Sequence, residues 1–449
     1  MIKRKIPILI LIFIFLNNCS FDDKTGIWSE EAKEKRRVTE LEKKQKAILK
    51  VEKIYTSENI FQKEIPIKKN ITLSKDKNIS SWTMSNLNHQ NFLGNIYLSG
   101  INNTFLKKKI GKDKLSNHKT TSHILVLNNK IILSDDRGTI YSINKSGRVL
   151  WKKNIYKKAY KKIYKNLVFS IYENNIYVAD NIGFVYSINL TDGNLIWIRN
   201  YQIPFRSNIK VYENKIFLIN QDNKIFCLDT KDGALIWNIL SISSFIKSQN
   251  LLSIAITQEG DLLAITSSAD VYKINISDGT ILWSRNTADS LYADATDFFI
   301  SSEIISNDNK VFFSSGLITF SLNLDDGKTN WTQEAKSVSA PIISGENIFI
   351  VTDYGYLIIL DKNTGEIISS SNILKILKKR KQKTKITGFV MGSGKIYSST
   401  SNGFLIVSSA KSGKAENFKK IGSSSISSLI ISDGSLYMLT DQSKILVFN

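Results

Sequence analysis

The sequence predicts an all-β chain, an eight-bladed β-propeller of four-stranded antiparallel blades whose ring is closed by an N-terminal strand joining the C-terminal blade. Three observations predict it. Seven glycines, Gly147, Gly193, Gly233, Gly279, Gly327, Gly365 and Gly413, recur 38 to 48 residues apart. Five of them have tryptophan four residues on, at Trp151, Trp197, Trp237, Trp283 and Trp331, with Ser369 and Asn417 in that place in the last two. A short polar residue stands four positions before six of them, at Asn189, Asp229, Asn275, Asn323, Asp361 and Ser409, and Asn144 stands three before the first. A fixed period of this length marks a repeat architecture.

One repeat, NNIYVADNIGFVYSINLTDGNLIW ending at Trp197, contains the grammar of a blade. Ile176, Tyr177 and Val178 make a short β-branched and aromatic run, Gly183 marks a turn, and residues 184–188 make a second run. Thr191-Asp192-Gly193 is a tight turn and Leu195-Ile196-Trp197 opens a further strand. The apolar stretch 166–169 upstream completes four strands in a meander. Asn, Asp and Ser can bond their own backbone two residues on, glycine reaches positive φ without steric cost, and Trp covers apolar area between neighbouring sheets.

A lone four-stranded sheet cannot bury both faces. Stacking the copies around an axis solves this and leaves only short edges. A linear solenoid would need polar end caps, and the termini supply none obvious. After Gly413 come three more strand-like runs, at 425–431, 435–439 and 445–448, with no closing Gly-x-x-x-Trp. Residues 79–83, with Trp82, form a lone strand ahead of the first repeat. Pairing the two ends gives eight blades of about 46 residues over 80–449. Seven blades with the ends packed otherwise is the alternative.

The N-terminus has the marks of a targeting segment. Lys3, Arg4 and Lys5 precede an apolar run of 11 residues at 6–16, too short to span a membrane and suited to a secretory signal. Leu16-Asn17-Asn18-Cys19 then resembles a bacterial lipobox, which predicts removal of residues 1–18 and lipidation of Cys19. Ser20 follows, with no Asp to suggest inner-membrane retention; by resemblance to enteric lipoproteins this implies the periplasmic face of the outer membrane. Several acyl chains hold a protein to a membrane far more firmly than one. Residues 19–79 read as a charged tether, partly helical or flexible, with acid and base mixed through 30–53. Cys19 and Cys227 are the only cysteines; with Cys19 lipidated, Cys227 has no disulfide partner and reads as a small buried hydrophobe.

A net charge of +21 often marks nucleic-acid binding, but the export signal and the lack of any nucleic-acid motif argue against it here. The basic run 375–385 reads as a solvated loop or as a contact for anionic lipid or an acidic partner. No catalytic set, cofactor motif or metal-ligand spacing emerges. His118 and His123 are five apart, unlike a helical metal pair, and read as surface residues along with His89. Gly392-Ser393-Gly394-Lys395 lacks the first glycine and the hydroxyl residue of a phosphate loop. Asp135-Asp136 and Asp325-Asp326 lack calcium-loop spacing.

The repeated Gly-x-x-x-Trp unit resembles the PQQ-like propeller repeat over about 370 residues. Quinoprotein dehydrogenases share it but carry an adjacent cysteine pair that this chain lacks, so the resemblance implies no cofactor. Lipobox, charged tether and eight-bladed ring together resemble the BamB family of outer-membrane assembly lipoproteins. That resemblance implies a non-enzymatic scaffold of the β-barrel assembly machinery, one copy within a hetero-complex, binding the periplasmic POTRA domains of a BamA-like partner and assisting insertion of outer-membrane proteins. It places partner binding in two neighbouring inter-blade loops. Here these hold Phe245, Ile246 and Lys247 after Trp237, and Asp294 and Asp297 after Trp283. An exposed Phe245/Ile246 pair rimmed by Lys247 and Asp297 would be an anchor-and-rim patch; ordinary connections are the other reading. A quinoprotein-type enzyme, or a periplasmic carbohydrate binder using the mouth of the ring, are the competing functions.

Overall fold

The computed structural model describes residues 36–37, 39–41, 43, 61–112, 123–241, 251–287, 301–381 and 383–449. Its strands form eight four-stranded antiparallel sheets. In blade two, Leu167–Tyr172, Asn175–Asp180, Phe184–Asn189 and Leu195–Asn200 pair in that order. Blades one to seven span residues 125–153, 167–200, 210–240, 254–286, 305–333, 342–372 and 386–420. Blade eight takes Ile426–Ser432, Ser435–Thr440 and Lys444–Phe448 from the C-terminus and Thr104–Lys109 from the other end of the chain. First strands of adjacent blades approach one another, so they surround the axis and the fourth strands form the rim.

The polar turns work through their side chains. Asn189 Oδ1 accepts from Thr191 N at 2.8 Å, and Asp229, Asn275, Asn323 and Asp361 do the same two residues on. Gly193 then turns the chain at φ +73°. Its missing side chain has a second use, because a Cβ there would lie 2.6 Å from Cε3 of Trp151 in the previous blade. Trp197, Trp237, Trp283 and Trp331 press on Gly233, Gly279, Gly327 and Gly365 in the same way. Each indole N–H donates to the carbonyl three residues before that glycine, at Leu190, Thr230, Ile276, Leu324 and Lys362, over 2.9 to 3.1 Å. Every blade-to-blade joint of this kind thus combines a ring packed on bare backbone with an indole hydrogen bond, buried at Trp197, Trp237 and Trp331 and part-buried at Trp151 and Trp283. Ser369 meets Gly413 where the sixth Trp would stand.

A β-bulge sets up the joint. In blade one Ser142 pairs with Trp151 and Ile143 with Val149, so Leu150 is left over. The same slip leaves Ile196, Ile236, Leu282, Asn330, Ile368 and Glu416 unopposed in blades two to seven. Blade eight repeats it at Phe105, and Leu106 then takes the Trp position, against Gly147. An extra residue bends the strand and re-aims the side chain after it, which turns the Trp towards the next blade.

An N-terminal strand closes the ring, but it is Thr104–Lys109 rather than residues 79–83. Trp82 instead exchanges backbone bonds with Val126 on the first strand of blade one, at 2.7 and 2.9 Å. From there the chain circles the axis. Thr83 O accepts from Ile171 N, Ser85 O and Asn88 O from Lys210 Nζ, and His89 O from Ile256 N. Asn91 Nδ2 donates to Ile254 O and Ile304 O, both at 2.9 Å. Ile96 bonds Met391 and Ser393, and Ser99 bonds Gly434. Residues 82–99 therefore bond to backbone of blades one, two, four, seven and eight and beside blade five, and to the Lys210 amine of blade three, satisfying groups that would otherwise be unpaired.

Candidate interaction surface

Strand order gives the ring two unlike faces. Connections between blades and second-to-third strand turns share one; the other turns share the opposite face. The residues predicted to bind a partner, Phe245, Ile246, Lys247, Asp294 and Asp297, lie outside the described residues, as do Cys19 and His118. The roots of their two loops are described. They leave from the ends of Leu235–Leu240 and Ile281–Asn286, on neighbouring blades and the same face. Ser241 Oγ holds Asn223 O at 3.0 Å and Thr287 Oγ1 holds Ala269 O at 2.8 Å, so both loops start from fixed points.

Part of the N-terminal region also reaches this face. Arg37 Nη1 donates to Ile182 O and Gln202 O, both at 3.0 Å, and Leu41 is buried against the core. The next described stretch, from residue 61, follows the rim and the opposite face. Ile65 pairs with Ser370, Ser74 with Ser344 and Asn347 Nδ2 with Thr72 O.

Around the axis lies a polar group that sequence reading missed. Lys210 is fully buried, and burial lowers its amine to about 7 against the opposing pull of Glu303. His123, expected at the surface, is half-buried beside Asn208; burial lowers its pKa and Glu303 works against that. These residues lie on or just ahead of the first strands of blades one, three and five, and they influence one another across the axis. No motif marks them, because their neighbours are set by ring closure. A group with a depressed amine pKa lends stability above its unfolded value of 10.5 and loses it as pH falls through the folded one. The stability of the wild type relative to Lys210→Met is therefore expected to rise by about 1–2 kcal/mol between pH 7 and pH 9. Urea unfolding at the two pH values checks it, and a flat difference would refute it.

The basic run is partly anchored. Ile373, Leu374 and Leu377 are buried, Leu374 lies against Gly355, and Lys375 and Lys385 pair with Glu64 and Asp353. Cys227 is buried without a disulfide, and burial pushes its thiol up to about 12. Among the described residues no three His, Cys, Asp or Glu side chains gather as metal ligands.

Comparison with known proteins identifies the ring. The crystal structure of BamB from Moraxella catarrhalis superposes with a TM-score of 0.60 at 13% identity, over 77% of this chain and 98% of that one. A europium-containing methanol dehydrogenase shares the fold with a TM-score of 0.62 at 10% identity, over 80% and 89%. Outer membrane protein assembly factor BamB of Legionella pneumophila (strain Paris) is 29% identical over 103 residues, 22% of this chain and about a quarter of that relative's length (24%). The family model described as outer membrane protein assembly factor BamB matches residues 136–371, just over half of the chain. With its repeat, its eight blades and that match, the chain belongs to the BamB family of outer membrane protein assembly factors.

Proposed function

We propose that this protein is a non-enzymatic lipoprotein scaffold of the β-barrel assembly machinery. In this reading residues 1–18 are removed, Cys19 carries lipid, and residues 19–79 tether the ring of 80–449 to the periplasmic face of the outer membrane. The ring binds the POTRA domains of a BamA-like partner and assists insertion of outer-membrane proteins. Family membership over blades one to six carries the reading. It is supported by the two loop roots, Ser241 and Thr287, which lie on adjacent blades and the same face. A rigid ring with locked joints suits a surface that holds partners in fixed positions.

The test is a photo-crosslinker at position 245 or 247 in cells, followed by identification of what is attached. A POTRA-bearing outer-membrane protein is the expected product; recovery of no assembly component would sink the proposal. Calorimetry with PQQ and calcium addresses the enzymatic alternative, which the methanol dehydrogenase raises through its fold alone. No binding heat is expected, since residues 82–99 already occupy the inner edges around the axis.

A further inference from the structure

The net charge of +21 is spread unevenly over the two faces of the ring. On one face the turns between first and second strands carry Glu173, Glu213, Glu259, Asp308, Glu346 and Asp433 and no Lys or Arg. On the other face two connections between blades are wholly basic. Residues 154–166 and 373–385 together hold twelve Lys or Arg and no Asp or Glu. Both are pinned from below by apolar side chains. The turn Lys158–Tyr160 buries Tyr160 edge-on to Phe184, with ring centroids 5.6 Å apart, and Ile163 is buried after it. The turn Ile373–Lys381 buries Ile373, Leu374 and Leu377. Above them Lys157, Lys158, Lys161, Lys162, Lys378 and Lys383 are exposed, and none has a carboxylate partner among the described residues.

Like charges this close repel, and a chain ordinarily leaves such a run in a loose solvated segment. Here ordered turns hold the lysines together, and an opposing charge on this face relieves the repulsion. Eleven of the twelve are Lys, whose compact ammonium suits a diffuse layer of charge; Arg, whose fork grips a single carboxylate, appears once, as Arg380. The two connections follow blades one and six, so blades seven, eight and one lie between them. The loop roots Ser241 and Thr287 flank blade four, on the opposite side of the ring from blade eight. The N-terminal region meets the basic side at both ends. Arg37 bonds Ile182 O and Gln202 O beside the first connection, and Glu64 pairs with Lys375 on the second. Cys19 stands 18 residues before Arg37, a span of at most about 60 Å. We propose that the basic half of this face, centred on blade eight, is a docking surface for the anionic phosphate headgroups of a lipid bilayer. It sets the orientation of the ring on the membrane and leaves the side with the two loop roots free for a protein partner. That the bilayer is the one holding Cys19 rests on the function proposed above; the affinity for anionic lipid does not.

Sedimentation with vesicles tests it, using residues 19–449 with Cys19→Ser so that no lipid anchors the chain. Vesicles of phosphatidylcholine alone are compared with vesicles of phosphatidylglycerol and phosphatidylcholine in equal parts. The chain is expected to bind the anionic vesicles, to leave them as salt rises and to ignore the neutral ones. The variant carrying Lys157→Gln, Lys158→Gln, Lys161→Gln, Lys162→Gln, Lys378→Gln and Lys383→Gln should bind at least roughly tenfold more weakly. Arg148→Gln, Lys215→Gln, Lys231→Gln, Lys328→Gln, Lys411→Gln and Lys414→Gln together remove as much charge from the opposite face and should leave affinity within about twofold. Equal loss in the two variants, equal binding to neutral vesicles, or no binding at all overturns the proposal. Should a variant not fold, a polarity-sensitive dye on single cysteines decides, since Cys227 is buried. On Lys161→Cys its emission should shift to the blue with anionic vesicles, and on Asp192→Cys, across the ring, it should not; the reverse overturns the proposal. The crosslink from position 245 should survive in the first variant, and its loss would assign these lysines to the assembly partner and overturn the proposal. Because the assay needs no anchor, it decides the surface independently of the mass of the native Cys19 peptide, which decides the lipidation.

Discussion

Trp237→Ala is expected to destabilise the protein by about 3–5 kcal/mol, read as a shift of the denaturant midpoint. The indole is 9% exposed, lies tilted on Phe217 with ring centroids 6.0 Å apart, and rests where a Cβ of Gly279 would come within 2.9 Å of Cδ2. Glycine offers no side chain to refill the space, so the hole between blades three and four stays open. The buried carbonyl of Ile276 also loses its 3.1 Å donor. Gly279→Ala should damage the same joint from the other side, since φ is +79° and the added methyl meets the ring. Ser369→Ala, at the joint that already lacks an indole, is the control and should cost less than about 1 kcal/mol. A Trp237→Ala variant within about 0.5 kcal/mol of wild type would show that the indoles do not hold the blades together.

Asn91→Ala is expected to cost about 2–4 kcal/mol. Its buried amide bridges Ile254 O in blade four and Ile304 O beside blade five, so removal strands two carbonyls at the axis. Asn91 also has φ +59°, a conformation asparagine tolerates better than alanine. Limited proteolysis provides the second readout, with cleavage expected within 82–99 in the variant before the blades themselves are cut. Loss of stability without that cleavage would mean that the circling segment is not held by this residue.

The repeat was legible because its signals are local. Each turn is written in a glycine and a polar residue four positions apart, and each Trp recurs at a fixed offset from them. The bulge was not legible, since the residue left over is decided by pairing across the hairpin. The closing strand was misplaced for a related reason. Thr104–Lys109 buries only Leu106 and reads as a basic stretch, because a rim strand shows most of its surface to water. Trp82 is large and aromatic like the repeat indoles, but Asn78 rather than glycine stands four residues before it. Residues 84–91, MSNLNHQN, look like any polar loop, since what they contribute is mostly backbone hydrogen bonding, which leaves no hydrophobic pattern.

The closing sheet joins strands that are far apart along the chain, Thr104 opposite Phe448 and Lys109 opposite Lys444. Bringing such distant stretches together is slow, and nothing rewards it until the whole polypeptide is available. A nascent or prematurely terminated copy is an incomplete circle, with Leu106 uncovered and the first blade lacking its neighbour. Such a copy would display sticky ends to any protease or holding factor it met. Ring closure is therefore its own proofreading step, because a copy lacking residues 444–448 cannot pass for a closed one.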